Sequence, residues 1–209
     1  MVIEQLARRG IRDPRVLGAM AVVPRHSFVE PALHEEAYAD RPLPIGFDQT
    51  ISQPYMVARA TELAEPRATD RALEVGAGCG YQAAILGELC SQVFAVEIIP
   101  ELARRARHAL SELGYTNVLL ESFDGSGGWP EHAPFDLIVV SAGAPRVPPL
   151  LVDQLADGGR MVIPVGPPQE QELALIRRLG DSYETSYDTR CRYVDLLGRF
   201  GFGGSPPEA

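Results

Sequence analysis

The chain has 209 residues, 45% hydrophobic and 22% charged, with a formal net charge of -9 at pH 7 and a pI near 5.0. That length suits one domain with small additions, and the acidity argues against non-specific nucleic-acid binding. No apolar run approaches the roughly 20 residues of a membrane span, and Met1 to Gly10 lacks the apolar stretch of a secretory leader.

Cys79, Cys90 and Cys191 are odd in number and widely spaced. They suggest neither a zinc site nor a disulfide framework, so a cytoplasmic protein is expected. Residues 1 to 30 read as helical, because Val2, Ile3 and Leu6, then Val16, Leu17 and Met20, recur at helical spacing. Asp13-Pro14 suits a helix start and Pro24 its end. Residues 31 to 53 are rich in Pro, Gly and polar groups and predict a structured, functional loop. A helix follows from Pro54, for which Ser52 is a candidate N-cap.

From Arg71 the pattern becomes strand and helix in alternation. Strands are predicted over Ala72 to Val75, Val93 to Glu97, Val118 to Glu121, Leu137 to Val140 and Arg160 to Pro164. Helices are predicted over Tyr81 to Leu89, Glu101 to Leu113 and Pro149 to Leu155, with Gly114, Gly158 and Gly159 as stop signals. The basic cluster of Arg104, Arg105 and Arg107 reads as a solvated helix face. This order implies a doubly wound, mostly parallel α/β sheet covered on both faces. Leu173, Leu175 and Ile176, then Tyr193, Val194, Leu196 and Leu197, read as added strands, and Gly201 to Ala209 as a frayed tail. One domain is expected. Residues 1 to 66 would carry helices and a ligand loop, 67 to 166 the binding core, and 167 to 209 the added strands.

In such sheets a ligand sits beyond the carboxyl ends of the strands, near the switch point. Four features map there. Gly76, Gly78 and Gly80 follow Glu74-Val75 as G-x-G-x-G, and glycines allow close backbone approach. Tyr81 stands where the last glycine of a dinucleotide fingerprint would be, which points away from NAD and towards S-adenosylmethionine. Glu97, about 20 residues on, suits a ribose diol. Asp124-Gly125 follows the third strand, where a carboxylate meets the amino group of adenine. Ser141 to Pro145 follows the fourth, and its small residues leave room for a reacting centre. Before the first strand, Gln49, Thr50, Ser52 and Gln53 offer polar groups on a constrained loop over the pocket. His26, His34, His108 and His132 are scattered and read as structural or exposed.

Several stretches resemble the protein-L-isoaspartate (D-aspartate) O-methyltransferase family. They are Val23 to Val29, Ala37 to Gly46, Gln49-Thr-Ile-Ser-Gln-Pro-Tyr-Met56, Leu73 to Gln82, Asp124-Gly125 and Leu155 to Gly166. The Gln49 to Met56 stretch is the family-specific one. The resemblance implies a Rossmann-like class I methyltransferase fold with N-terminal helices and added C-terminal strands. It implies that S-adenosylmethionine is bound by Phe47, Thr50, Ser52, Glu74, Gly76, Gly78, Gly80, Glu97, Asp124 and Gly125, with Ser52 catalytic, and that S-adenosylhomocysteine is the product. The partners it implies are damaged proteins or peptides carrying isoaspartyl or D-aspartyl residues. A monomer with no metal, nucleic acid or membrane partner is expected. Two residues depart from the family pattern: Asp48 replaces the commoner Gly, and Asp195 the usual Pro.

The implied reaction is in-line attack of a substrate carboxylate on the sulfonium methyl. A carboxylate with an unperturbed pKa of about 4 is already ionised near neutrality, so no strong general base is needed. Two other functions fit the same residues: a same-fold enzyme methylating an aspartate of a peptide natural product, and a non-catalytic S-adenosylmethionine-binding module.

Overall fold

The computed structural model describes residues 1–202. Its centre is a seven-stranded sheet. The strands are β3 (Arg71–Val75), β4 (Gln92–Glu97), β5 (Val118–Ser122), β6 (Phe135–Val140), β7 (Leu155–Val165), β8 (Gln171–Leu179) and β9 (Ser182–Cys191). Their order is β5-β4-β3-β6-β7-β8-β9. The first five are parallel, and β8 and β9 are antiparallel additions. A separate two-stranded hairpin precedes them, β1 (Leu43–Gly46) with β2 (Gln49–Ile51).

Two-residue periodicity buries both faces. Ala72, Val93, Ala95, Leu137, Val139 and Val162 face one core, shared with the helices α1 (Pro14–Val22), α2 (Pro54–Ala64), α3 (Tyr81–Gly87) and α4 (Pro100–Glu112). Leu73, Val75, Phe94, Val96, Ile138, Val140 and Met161 face the other, closed by Trp129 and by Leu151 of α5 (Pro149–Asp153). Asp13 caps α1 as expected, its side chain accepting from the Arg15 N–H.

The structure corrects several sequence expectations. Residues 31 to 53 are not a loop: a 3-10 helix (Pro31–Glu36) leads into the β1-β2 hairpin. The two loop residues of that hairpin, Phe47 and Asp48, both have positive φ, 55° and 57°. That is the signature of a primed turn, matched to strand twist. Ser52 is not the N-cap of α2; Gln53 is, without a side-chain cap.

Leu155, expected to end a helix, begins β7. Gly158 and Gly159 lie inside that strand, where Gly158 has φ 72° and the register with β6 shifts. The last strand is β9, a polar exposed edge, and not Tyr193 to Leu197. That segment meets the sheet through a bridge between Asp195 and Gly143 and through the Tyr193 N–H, which donates to Gln171 Oε1 of β8 at 2.8 Å. Arg105 is not a free surface cation: it donates to the Ile45 carbonyl at 2.6 Å and pairs with Glu30, tying α4 to the hairpin. Of the expected tail, Gly201 is buried and the Phe202 N–H donates to the Leu196 carbonyl at 2.9 Å. Residues 203–209 lie outside the described residues. Among the described residues no helix is long and apolar enough to cross a membrane.

Candidate active site

The sheet reverses winding direction between β3 and β6, and the chain leaves both strands beside one crevice. After β3, Gly76 and Ala77 both donate to the Val96 carbonyl, at 2.9 and 3.0 Å, which folds the turn over the end of β4. Gly76 and Gly78 have φ of 82° and 55°, a region open to glycine. A side chain at Gly78 would meet Ile45 of the hairpin at 3.2 Å. Gly80 also has positive φ, but its bare face packs on Ala106 and Leu110 of α4. It serves helix packing and does not line the crevice.

Three connected spaces meet here. The first is lined by Glu74, Gly76, Gly78, Tyr81, Gln82 and Ser141, with Thr50 and Ser52. The second runs past Gly76, Gly78, Glu97, Ile98, Gly125, Ser126 and Leu196, again with Thr50. The third is an open groove of about 770 Å³ between the hairpin and the segment Arg190 to Asp195, with Gln49, Thr50 and Ser52 on its wall. Thr50 therefore borders all three spaces, and Ser52 joins the first to the groove.

Glu74 is fully buried. Its Oε1 accepts one hydrogen bond from Ser141 Oγ at 2.8 Å, and its Oε2 has no partner. Burial pushes this carboxyl up to about 8; the Ser141 bond opposes the rise, and Glu97 adds to it. Glu97 is 5% exposed. Its oxygens accept from the Gly78 N–H at 2.7 Å and the Ile99 N–H at 2.9 Å. Burial raises its pKa and those backbone donors counter the rise. Each Glu97 oxygen keeps a lone pair for a ligand.

Asp124 is bonded differently. Its Oδ1 accepts from the Ser126 N–H and hydroxyl, at 3.0 and 2.7 Å, and its Oδ2 from the Arg199 N–H at 2.9 Å. Burial raises its carboxyl, but these hydrogen bonds win and hold it below the ordinary aspartate value. It caps the turn that presents Gly125 and Ser126 to the crevice. Phe47 stands outside the crevice, 52% exposed, at the hairpin tip beneath the Arg105 guanidinium.

The structure thus gathers Thr50, Ser52, Glu74, Gly76, Gly78, Glu97 and Gly125 around one crevice and leaves Phe47, Gly80 and Asp124 behind it. Nothing in the sequence pattern marks Tyr81, Gln82 or Ser126 as site residues, whereas the family resemblance implies that the segment Arg192 to Leu197 helps hold the substrate peptide. Val194, Leu196 and Leu197 are apolar residues that read as strand and serve, with Asp195, as wall. Among the described residues no cluster of His, Cys, Asp or Glu is placed to hold a metal.

The sequence pattern of the protein-L-isoaspartate(D-aspartate) O-methyltransferase family matches residues 1–201. A protein-L-isoaspartate O-methyltransferase 1 from Syntrophobacter fumaroxidans is 50% identical over 204 residues, covering 98% of this chain and 95% of that protein. One from Koribacter versatilis is 52% identical, covering 97% and 91%. A solved protein-L-isoaspartate O-methyltransferase superposes with a TM-score of 0.85 at 28% identity, over 96% of this chain and 67% of the other. A Plasmodium falciparum protein described as the same enzyme, in complex with S-adenosyl-L-homocysteine, gives 0.81 at 25% identity, over 94% and 96%.

Proposed function

The chain belongs to the protein-L-isoaspartate(D-aspartate) O-methyltransferase family, and on that premise we propose that Thr50 and Ser52 form the seam across which the methyl group passes. The enzyme moves a methyl group from S-adenosylmethionine to the free carboxylate of isoaspartyl and D-aspartyl residues in damaged proteins. The observation that carries the site assignment is the position of Ser52, which borders both the space beside Glu74 and the open groove.

The residues fit the methyl donor. Glu74 offers an unpartnered buried oxygen to an ammonium group. Glu97 offers its remaining lone pairs to a ribose diol, and Gly125, Ser126 and Ile98 wall a base. The donor supplies an electrophilic methyl on a sulfonium. Gly76 and Gly78 let it lie against the backbone. On the other side of the seam, the Ser52 hydroxyl donates a hydrogen bond to the acceptor carboxylate and fixes its direction. That carboxylate is ionised near neutrality, so the site needs no base. Alignment of two held reactants can supply roughly 7–11 kcal/mol.

Asp124 acts from behind, by holding Ser126 and the Arg199 main chain in place. Phe47 and Gly80 support the hairpin tip and α4. The test pairs labelled S-adenosylmethionine with an isoaspartyl peptide and its normal aspartyl twin. Label in the first alone is expected; equal label in both, or in neither, would overturn the reading.

A further inference from the structure

Two arginines are fully buried, and they are buried differently. Arg160, 2% exposed, pairs with the carboxylate of Asp70 and donates to the carbonyls of Ala64 and Asp136. Its charge is cancelled on the spot. Arg25, 0% exposed, has no carboxylate within ion-pair distance among the described residues. Its Nε donates to the Ala37 carbonyl and its Nη2 to the Ser52 carbonyl, both at 2.7 Å. Its guanidinium lies 4.9 Å from the ring centre of Tyr81, and its Nη1 is buried without a partner. A buried cation without a counter-charge is destabilising, and such a group beside a cleft is a candidate for a functional role.

The anion is supplied by the reaction. In a chain of net charge -9, long-range attraction cannot bring an acceptor carboxylate to Ser52. A guanidinium fixed behind the Ser52 main chain, in low dielectric, acts over the short range. The geometry points to Arg25 as a positioning residue for the acceptor: it fixes the Ser52 main chain through the Ser52 carbonyl and lends its uncancelled positive charge to the carboxylate that Ser52 holds. This rests on the assignment of Ser52 to the acceptor side.

Two variants separate charge from position. Arg25→Gln keeps donors but removes the charge, and Arg25→Lys keeps the charge but loses the fork. The readout is the preference for the charged acceptor: KM for an isoaspartyl peptide against the inhibition constant of its isoasparaginyl twin, which has the same shape and no charge. Unmodified enzyme is expected to prefer the charged peptide by about ten-fold or more, equivalent to about 1.4 kcal/mol. R25Q should lose that preference, and R25K should keep it while kcat falls. Affinity for S-adenosylhomocysteine should stay within about three-fold in both. A structural role would weaken both peptides equally, so an unchanged preference in R25Q overturns the proposal. Should R25Q not fold, loss of the preference in R25K overturns it alone. Failure of the unmodified enzyme to label the isoaspartyl peptide sinks the acceptor-site reading; labelling with no R25Q effect sinks only Arg25.

Discussion

Ser141 donates its hydroxyl to Glu74 at 2.8 Å across the seam between β6 and β3, and among the described residues this is the single side-chain hydrogen bond that Glu74 receives. One donor is too few for a buried carboxylate, so the group is protonated at neutral pH, with its pKa near 8.

Glu74 should therefore exchange a proton with cofactor binding. An ammonium placed at Oε2 favours the ionised carboxyl. S-adenosylhomocysteine should then release close to one proton at pH 7, read by calorimetry in two buffers of different ionisation enthalpy, and Glu74→Gln should abolish the release. The sign for stability follows. The folded pKa lies above the ordinary 4.5, so the folded state binds the extra proton between those values. The ligand-free enzyme should lose stability as pH rises from about 4.5 to about 8, and E74Q should flatten that slope. An unchanged slope would mean the carboxyl is already paired.

Ser52→Ala should cut kcat by about a hundred-fold, the usual cost of one aimed donor. Its backbone carbonyl still accepts from Arg25 in that variant, so affinity for S-adenosylhomocysteine should stay within about three-fold. Turnover at the unmodified rate would remove the hydroxyl from the site.

Asp124→Asn should weaken S-adenosylhomocysteine binding by about ten-fold, the equivalent of one hydrogen bond of about 1.4 kcal/mol. The hydrogen bonds from Arg199 and Ser126 keep the Asp124 pKa low. Its stabilisation is present above the ordinary aspartate range and lost as pH falls through the lower folded value. Acid titration followed by circular dichroism should show that loss in the unmodified chain and not in the variant.

Arg160→Met should cost about 3–5 kcal/mol in urea unfolding, because Asp70 is left buried and unpaired. Asp70→Asn combined with it should recover part of that loss. No recovery would place the energy in the carbonyl contacts instead.

Asp48→Gly should raise stability by about 0.5–1 kcal/mol, since φ 57° costs an L residue and not glycine. The reading is the midpoint of denaturant unfolding; a lower midpoint would mean the aspartate stabilises its turn.

The sequence shows the core well because its strands are buried on both faces. Leu73-Glu-Val75 and Leu137 to Val140 are short apolar runs, each placed before a Gly or Ser turn, and the crevice follows from their order. The hairpin is hidden for a physical reason. Leu43 and Ile45 alternate over only four residues, the second strand opens on the polar Gln49 and Thr50, and Phe47-Asp48 is an unusual pair for a turn whose two residues both need positive φ. β9 is hidden because an exposed edge strand has no buried face to pattern it. Arg25 stands in plain sight at Pro24-Arg25, but charge in a sequence reads as surface, and only the fold reveals it as interior.

The crevice also has an order of birth. Its glycine turn leaves the ribosome early, while the wall from Val194 to Leu197, locked by Leu196 N–H to the Gly143 carbonyl at 2.7 Å, comes late. The wall that completes the crevice beside Gly125 is therefore made after the whole of its sheet. A chain cut before Tyr193 should transfer no methyl group even where circular dichroism shows that its sheet survives.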